Sequence, residues 1–155
     1  MKWNEAEHYC KKEGGKLVEI DSAEENSALV EEINKKGYTE KKMDFWIGLT
    51  DLGSEGDWRL ASNGLAPSFL NWAEGAPSNG PGTIGDCARL RTDSDGRIGT
   101  WDNDIWCKAW AWAWDDAFSL HALCEFDPPK EKSSTEEPPT TGTSTNHSHK
   151  FLVIA

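Results

Sequence analysis

Apolar positions in the first third of the chain recur at helical intervals. Trp3, Ala6 and Cys10 fall at i, i+3 and i+7, one stripe of a helix, and Gly14-Gly15 ends it. Asn4, with Glu7 three residues on, predicts a capped start. Residues 16–20 read as a short apolar strand. Asp21 or Ser22 then caps a second helix from Ala23, with Glu24 and Glu25 at the positive end of its dipole. Ala28, Leu29, Ile33 and either Asn26 or Val30 are expected to face inward, and Gly37 closes the helix. From Phe45 the pattern changes to short β-like runs at 45–49, 58–60, 87–90 and 122–126, separated by Gly, Asn, Asp, Pro and Ser. Residues 61–85 are long and irregular yet carry Leu65, Phe69, Leu70 and Trp72, the mark of a packed functional loop rather than a linker. The fold class is therefore α+β, helices first, sheet and loops after.

After Phe126 the pattern fails. Asp127-Pro128-Pro129 breaks the last strand, and residues 128–150 are Ser, Thr, Pro and Glu with almost nothing apolar. Such a segment is expected to be a disordered, O-glycosylated stalk, and Asn146-His147-Ser148 fits an N-glycosylation acceptor. The apolar residues 151–155 are too few to cross a membrane; they read as the cut start of a membrane helix or as chance. Residues 1–127 remain as one domain of ordinary size.

Charge narrows the function classes. A net charge of -11 with no basic stripe argues against nucleic acid, whose affinity comes largely from phosphate neutralisation. Mean hydropathy of -0.68 suits a soluble chain. The four cysteines, Cys10, Cys87, Cys107 and Cys124, form no C-x-x-C pair, which disfavours thiolate zinc and thioredoxin-type chemistry. An even, well-separated set suits disulfides in an oxidising compartment, with three connectivities open. No secretory signal precedes them, so a disulfide reading requires an upstream segment outside this sequence.

The ordered series Phe45-Trp46-Ile47-Gly48-Leu49, Glu55-Gly56-Asp57-Trp58, Asn71-Trp72-Ala73-Glu74-Gly75-Ala76-Pro77-Ser78-Asn79, Asp86-Cys87-Ala88-Arg89-Leu90, Trp101-Asp102-Asn103-Asp104 and Cys124-Glu125-Phe126 resembles the C-type lectin-like domain over residues 1–127. That resemblance implies two helices with antiparallel sheets and a long irregular ligand loop, stapled by Cys10–Cys124 and Cys87–Cys107. It implies a non-catalytic, extracellular recognition module, secreted or anchored by a segment beyond the chain end. Its ligand would be a carbohydrate or a protein, bound through the long-loop face. Gly48 would allow close packing in a central strand, and Pro77 would be a cis proline. Family members normally start with strands before the first helix. Their absence predicts a chain truncated at its start and a sheet edge with unpaired backbone groups.

Sugar-binding members hold Ca²⁺ with a tripeptide around a proline, a later Glu, and an Asn-Asp pair, leaving room for two sugar hydroxyls. Here those positions read Ala76-Pro77-Ser78, Gly85 and Asn103-Asp104, so only the last pair is intact. Ca²⁺ is carried as an expectation on Asn103, Asp104 and Asp86 with an incomplete ligand set; Asn79 and Asp102 are further candidates. Ligand contact is expected at Asn103, Asp104, Asn79 and the alternating Trp110, Trp112 and Trp114, whose indoles would stack on sugar rings or pack under the loop. Asp93-Ser94-Asp95-Gly96 is no EF-hand, since the glycine is misplaced and no Glu closes the loop. A calcium-independent protein, ice or mineral binder is the alternative function. A glycosidase using Asp102, Asp104, Asp115 and Asp116 is the least supported.

Overall fold

The structure is a computed structural model, and it describes residues 1–78, 85–92, 97–104, 120–128 and 151–154. Helix α1 (Trp3–Lys12) turns its Trp3, Ala6 and Cys10 stripe into the protein, as the spacing predicts. Its start is two residues earlier than Asn4 suggests. Lys2 is the N-cap, and its N–H is taken by Glu5 Oε2 at 2.8 Å, so Asn4 lies inside the helix. Helix α2 (Ala23–Lys35) is capped by Ser22, whose Oγ accepts the Glu25 N–H at 3.1 Å. Asn26, Leu29 and Ile33 are its buried residues. Ala28, expected inside, is exposed.

The strands are β1 (Lys16–Leu17), β2 (Phe45–Thr50), β3 (Arg59–Leu60), β4 (Cys87–Leu90), β5 (Trp101–Asp104), β6 (His121–Phe126) and β7 (Phe151–Ile154). Their order is β1-β6-β2-β4-β5, with β3 added to β2 and β7 to β6. The sheet is mixed: β2 and β6 run parallel, Phe45 opposite His121, and the other pairs are antiparallel. The terminal apolar run thus adds β7 to β6.

Two apolar clusters fill the interior. One joins α2 to the sheet through Leu29, Ile33, Ile47, Leu90, Trp101 and Leu123, and the other holds α1 against β6 through Trp3, Cys10, Trp46 and Cys124. Cys10 and Cys124 are disulfide-bonded, their Cα atoms 5.4 Å apart. Cys87 is also disulfide-bonded, while Cys107 lies outside the described residues. Trp3 Nε1 donates to Ile47 O and Trp46 Nε1 to Met1 O, each at 2.9 Å, so these two buried indoles are satisfied. Gly48 sits where a Cβ would come within 2.9 Å of Leu17 O and 3.2 Å of Val18 O, which is why this strand position has no side chain.

A single cation organises the polar seam beside β1. Lys16 Nζ meets Glu19 Oε2 at 2.7 Å and Glu125 Oε1 at 3.1 Å, and Ser62 donates both its N–H and its hydroxyl to Glu19. Burial by itself would lower the Lys16 pKa. Hydrogen bonds to Glu19 and Glu125 outweigh it and hold the ammonium above the ordinary lysine value.

Candidate ligand-binding loop face

The long loop leaves β3 and returns to β4, and aromatic side chains tie its base to β5. Trp72 bridges to Trp101 in parallel register; Trp101 N donates to Asn71 O and Ala73 N to Trp101 O, both at 2.8 Å. Trp58 and Trp72 meet edge-on at 4.7 Å between centroids, Phe69 and Trp101 at 5.6 Å, and Trp72 and Trp101 at 6.2 Å. Phe69 and Trp72 are therefore the loop's anchors. Leu65 and Leu70, expected to anchor it as well, are exposed.

Three asparagines then fix the backbone around these rings. Asn26 Oδ1 accepts the Trp101 indole N–H at 3.0 Å, and its Nδ2 donates to Gly99 O. Asn71 Nδ2 reaches the same carbonyl at 2.7 Å. Asn103, on β5, clamps the two arms of the loop. Its Oδ1 accepts the Ser78 N–H at 2.9 Å, and its Nδ2 donates to Ser78 O at 3.1 Å and Gly85 O at 3.0 Å. An amide offers two donors and an acceptor, and here each is engaged by loop backbone. Asn71 stands in the motif series and Asn26 is a candidate inward position, but neither pattern announces these hydrogen bonds.

The acidic residues nearby have other commitments. Asp102 Oδ2 faces Arg91 Nη1 at 3.2 Å and Arg89 Nη2 at 3.7 Å, while its Oδ1 accepts the Asn103 N–H. Asp86 is only 4 % exposed; its carbonyl accepts from Thr50 Oγ1 at 2.6 Å and from Asp51 N at 3.1 Å. Asp51, equally buried, accepts the Gly56 N–H at 2.8 Å. Burial pushes the Asp51 carboxyl above the ordinary aspartate range, Glu55 and Asp86 push the same way, and the Gly56 bond offsets only part of this. Asp104 belongs to β5 by its backbone. Asn79, Trp110, Trp112, Trp114, Asp115 and Asp116 lie outside the described residues.

The calcium test is then one of donor chemistry. Of the positions the resemblance assigns, Ala76 and Gly85 have no side-chain oxygen, and the Asn103 Oδ1 is turned onto the Ser78 N–H. Ala76 and Gly85 thus supply no side-chain ligand, and the Asn103 oxygen already accepts one hydrogen bond. The Ala76-Pro77 peptide is nonetheless cis, the loop shape the resemblance implies.

A family model, Lectin C-type domain, matches residues 1–126. The chain belongs to the C-type lectin domain family. Among curated relatives of this lectin domain, a perlucin-like protein of Mytilus galloprovincialis is 42% identical over 77 residues, covering 50% of this chain and 48% of that protein. The low affinity immunoglobulin epsilon Fc receptor of Mus musculus is 36% identical over 127 residues, covering 82% of this chain and 33% of the receptor. The chain thus spans a third to a half of the length of these relatives. Among solved structures, the cow C-type carbohydrate-recognition domain of CD23, in the presence of GlcNAc2Man3 oligosaccharide, aligns with TM-score 0.55 at 28% identity, over 68% of this chain and 71% of that one. Human lithostathine aligns with TM-score 0.56 at 30% identity, over 68% and 76%. The C-type lectin fold is thus that of a recognition module for carbohydrate or protein. Among the described residues, no helix is long and apolar enough to cross a membrane.

Proposed function

We propose that this C-type lectin domain acts outside the cell, in an oxidising compartment, and binds its ligand through the long-loop face without a bridging calcium ion. The Asn103 clamp carries the reading. In the metal-bridged arrangement a cation draws the loop arms together; here a neutral carboxamide joins Ser78 to Gly85 and β5, with both N–H donors and one lone pair of its oxygen engaged. The ligand is a glycan of the GlcNAc and mannose class, for which the cow CD23 carbohydrate-recognition domain, solved in the presence of GlcNAc2Man3 oligosaccharide, is a precedent. Asn79, Asp104 and the Trp110, Trp112 and Trp114 series are proposed as its contact residues, with aromatic stacking in place of metal-bridged hydroxyls. The domain is proposed to work by binding alone, with no catalytic step, and the Ser/Thr/Pro-rich residues 128–150 to serve as a stalk.

The test is a glycan array of GlcNAc- and mannose-terminated oligosaccharides probed with and without EDTA, for the natural chain and for Asn103→Ala. The expected result is binding that EDTA leaves unchanged and that Asn103→Ala weakens about tenfold, roughly 1.4 kcal/mol. Binding abolished by EDTA and restored by added Ca²⁺ would refute the calcium-free mode. Silence across the array, with capture of a glycan-free protein ligand, would move the reading to the protein-binding branch of the family.

A further inference from the structure

Three pairs of adjacent lysines, Lys11-Lys12, Lys35-Lys36 and Lys41-Lys42, look alike in the sequence and differ in the structure. Lys11 and Lys12 are the last residues of α1, and Lys11 Nζ meets Glu7 Oε1 at 2.6 Å. Lys35 ends α2 and Lys36 is its C-cap; their ammonium groups face Glu31 at 2.9 Å and Glu32 at 3.8 Å. Lys41 and Lys42 instead lie in the turn between α2 and β2, outside any helix or strand, and Glu40, Lys41 and Lys42 are all exposed.

The backbone of this turn is lightly held. The Lys42 N–H donates to Thr39 O at 3.1 Å and the Met43 N–H to Tyr38 O at 3.2 Å, while Lys41 Nζ lies 5.7 Å from the centroid of the Tyr38 ring. Lys42 has a φ of 51°, and among the described residues it is the only non-glycine with a positive φ. Crowding at Cβ disfavours that conformation, so straightening the turn relieves it. On the β2 side the hold resumes at once: Met43 O accepts the Thr92 hydroxyl at 2.8 Å, and Asp44 Oδ1 accepts the Thr92 N–H at 2.9 Å. An endoprotease needs several residues extended in its cleft. A helix denies it that shape, and a short exposed turn of long hydrogen bonds allows it.

A cut in this turn severs the chain between α2 and β2 but leaves their packing in place. Leu29 and Ile33 keep α2 in the core, and Asn26 keeps Trp101 and Gly99. Cys10 precedes the turn and Cys124 follows it, and the two are bonded to each other. Both are fully buried, which shields the bond from exchange with outside thiols.

We propose that Lys41-Lys42 is a processing site for a serine endoprotease specific for basic residues, and that cleavage gives a two-chain domain joined by Cys10–Cys124. Water is the co-reactant. The amide C–N bond between Lys41 and Lys42 breaks, the water oxygen joins the Lys41 carbonyl carbon to make a carboxylate, and the Lys42 nitrogen leaves as an ammonium group. In the intact chain the turn and the disulfide both link α1, β1 and α2 to the remaining strands; after the cut the disulfide alone does so.

The test treats the full chain with trypsin at a limiting ratio, beside the double variants Lys41→Gln with Lys42→Gln and Lys35→Gln with Lys36→Gln. All four side chains are exposed, so neither variant disturbs the core. Cuts are mapped by mass spectrometry, and the products are run on gels with and without reductant and by size exclusion without it. The first cut within residues 1–126 should fall at Lys41-Lys42, and the two pieces should part on the gel only with reductant. In size exclusion they should run as one species with the near-ultraviolet Trp signal of the uncut domain. The variant at 41 and 42 should be cut at least tenfold more slowly, and the variant at 35 and 36 at the natural rate. A first cut elsewhere in residues 1–126, or an unchanged rate in the variant at 41 and 42, would overturn the site. Pieces that separate without reductant, or a Trp signal lost on cutting, would overturn the two-chain form.

Discussion

The α1 end of the molecule and the loop face are held by different kinds of interaction. Around α1, β2 and β6 the restraints are redundant: Trp3, Trp46, Leu17 and Ala122 are all buried, the two indoles are satisfied by backbone carbonyls, and a disulfide joins helix to strand. On the loop face, single side chains each do one job. Asn26 holds Trp101, Asn71 holds Gly99, and Asn103 joins Ser78 to Gly85. In the first arrangement several restraints act on the same elements. The second localises the damage, so that a face can vary its ligand while the scaffold under it stays put.

Removing the covalent tie tests the scaffold side with the largest effect. The pair Cys10→Ser and Cys124→Ser opens a loop of sequence separation 114 and should cost about 4–5 kcal/mol by chain entropy. Urea unfolding followed by Trp fluorescence should show one transition moved as a whole. A loss confined to glycan binding, with the midpoint unmoved, would contradict the division.

At the junction of the two regions, Asn26→Ala leaves the buried Trp101 indole N–H without its acceptor, while Gly99 O keeps Asn71 Nδ2. The expected cost is about 2 kcal/mol. It should come with faster amide exchange at Ala73, whose N–H depends on the Trp101 carbonyl. Equal exchange at Ala73 and at Val18 would show that the loop base and the scaffold move as one unit.

The smallest effect concerns pH. Because the folded-state pKa of Asp51 is raised, the folded protein takes up this proton more readily than the unfolded chain does. Its contribution to stability is therefore fully present below the ordinary aspartate value near 3.9, and it is lost as pH rises through the folded value. Asp51→Asn keeps an oxygen for the Gly56 N–H and removes the charge. The variant should be slightly more stable at neutral pH and should lack this acid-range term, as read from unfolding midpoints across a pH series. A variant less stable at neutral pH would mean that the ionised carboxylate is itself a favourable partner in the loop.

Where burial follows periodicity, the sequence was readable: the Trp3, Ala6 and Cys10 stripe, the Ser22 cap, and the strands at Phe45, Cys87 and the chain's last cysteine. Strand β5 was not, because Asp102-Asn103-Asp104 has no apolar alternation and is extended only through pairing with β4. Ala28 misled because its single methyl group costs little on either side of a helix. Leu65 and Leu70 misled because a loop has no period by which to sort inward from outward positions. In the site, the position of Asn103 was legible from its motif but its task was not. Side-chain type says that an oxygen is available; only geometry shows that Ser78 and Gly85 have already claimed the amide.

The Cys10–Cys124 bond also fixes how the domain bears a pull. Tension between Met1 and Asp127 runs along α1 to Cys10, crosses the sulfur–sulfur bond, and leaves through Glu125 and Phe126. Everything from Lys11 to Leu123, the loop face included, lies off the loaded path. A domain wired in this way can be stretched from its ends while its binding surface stays mechanically quiet.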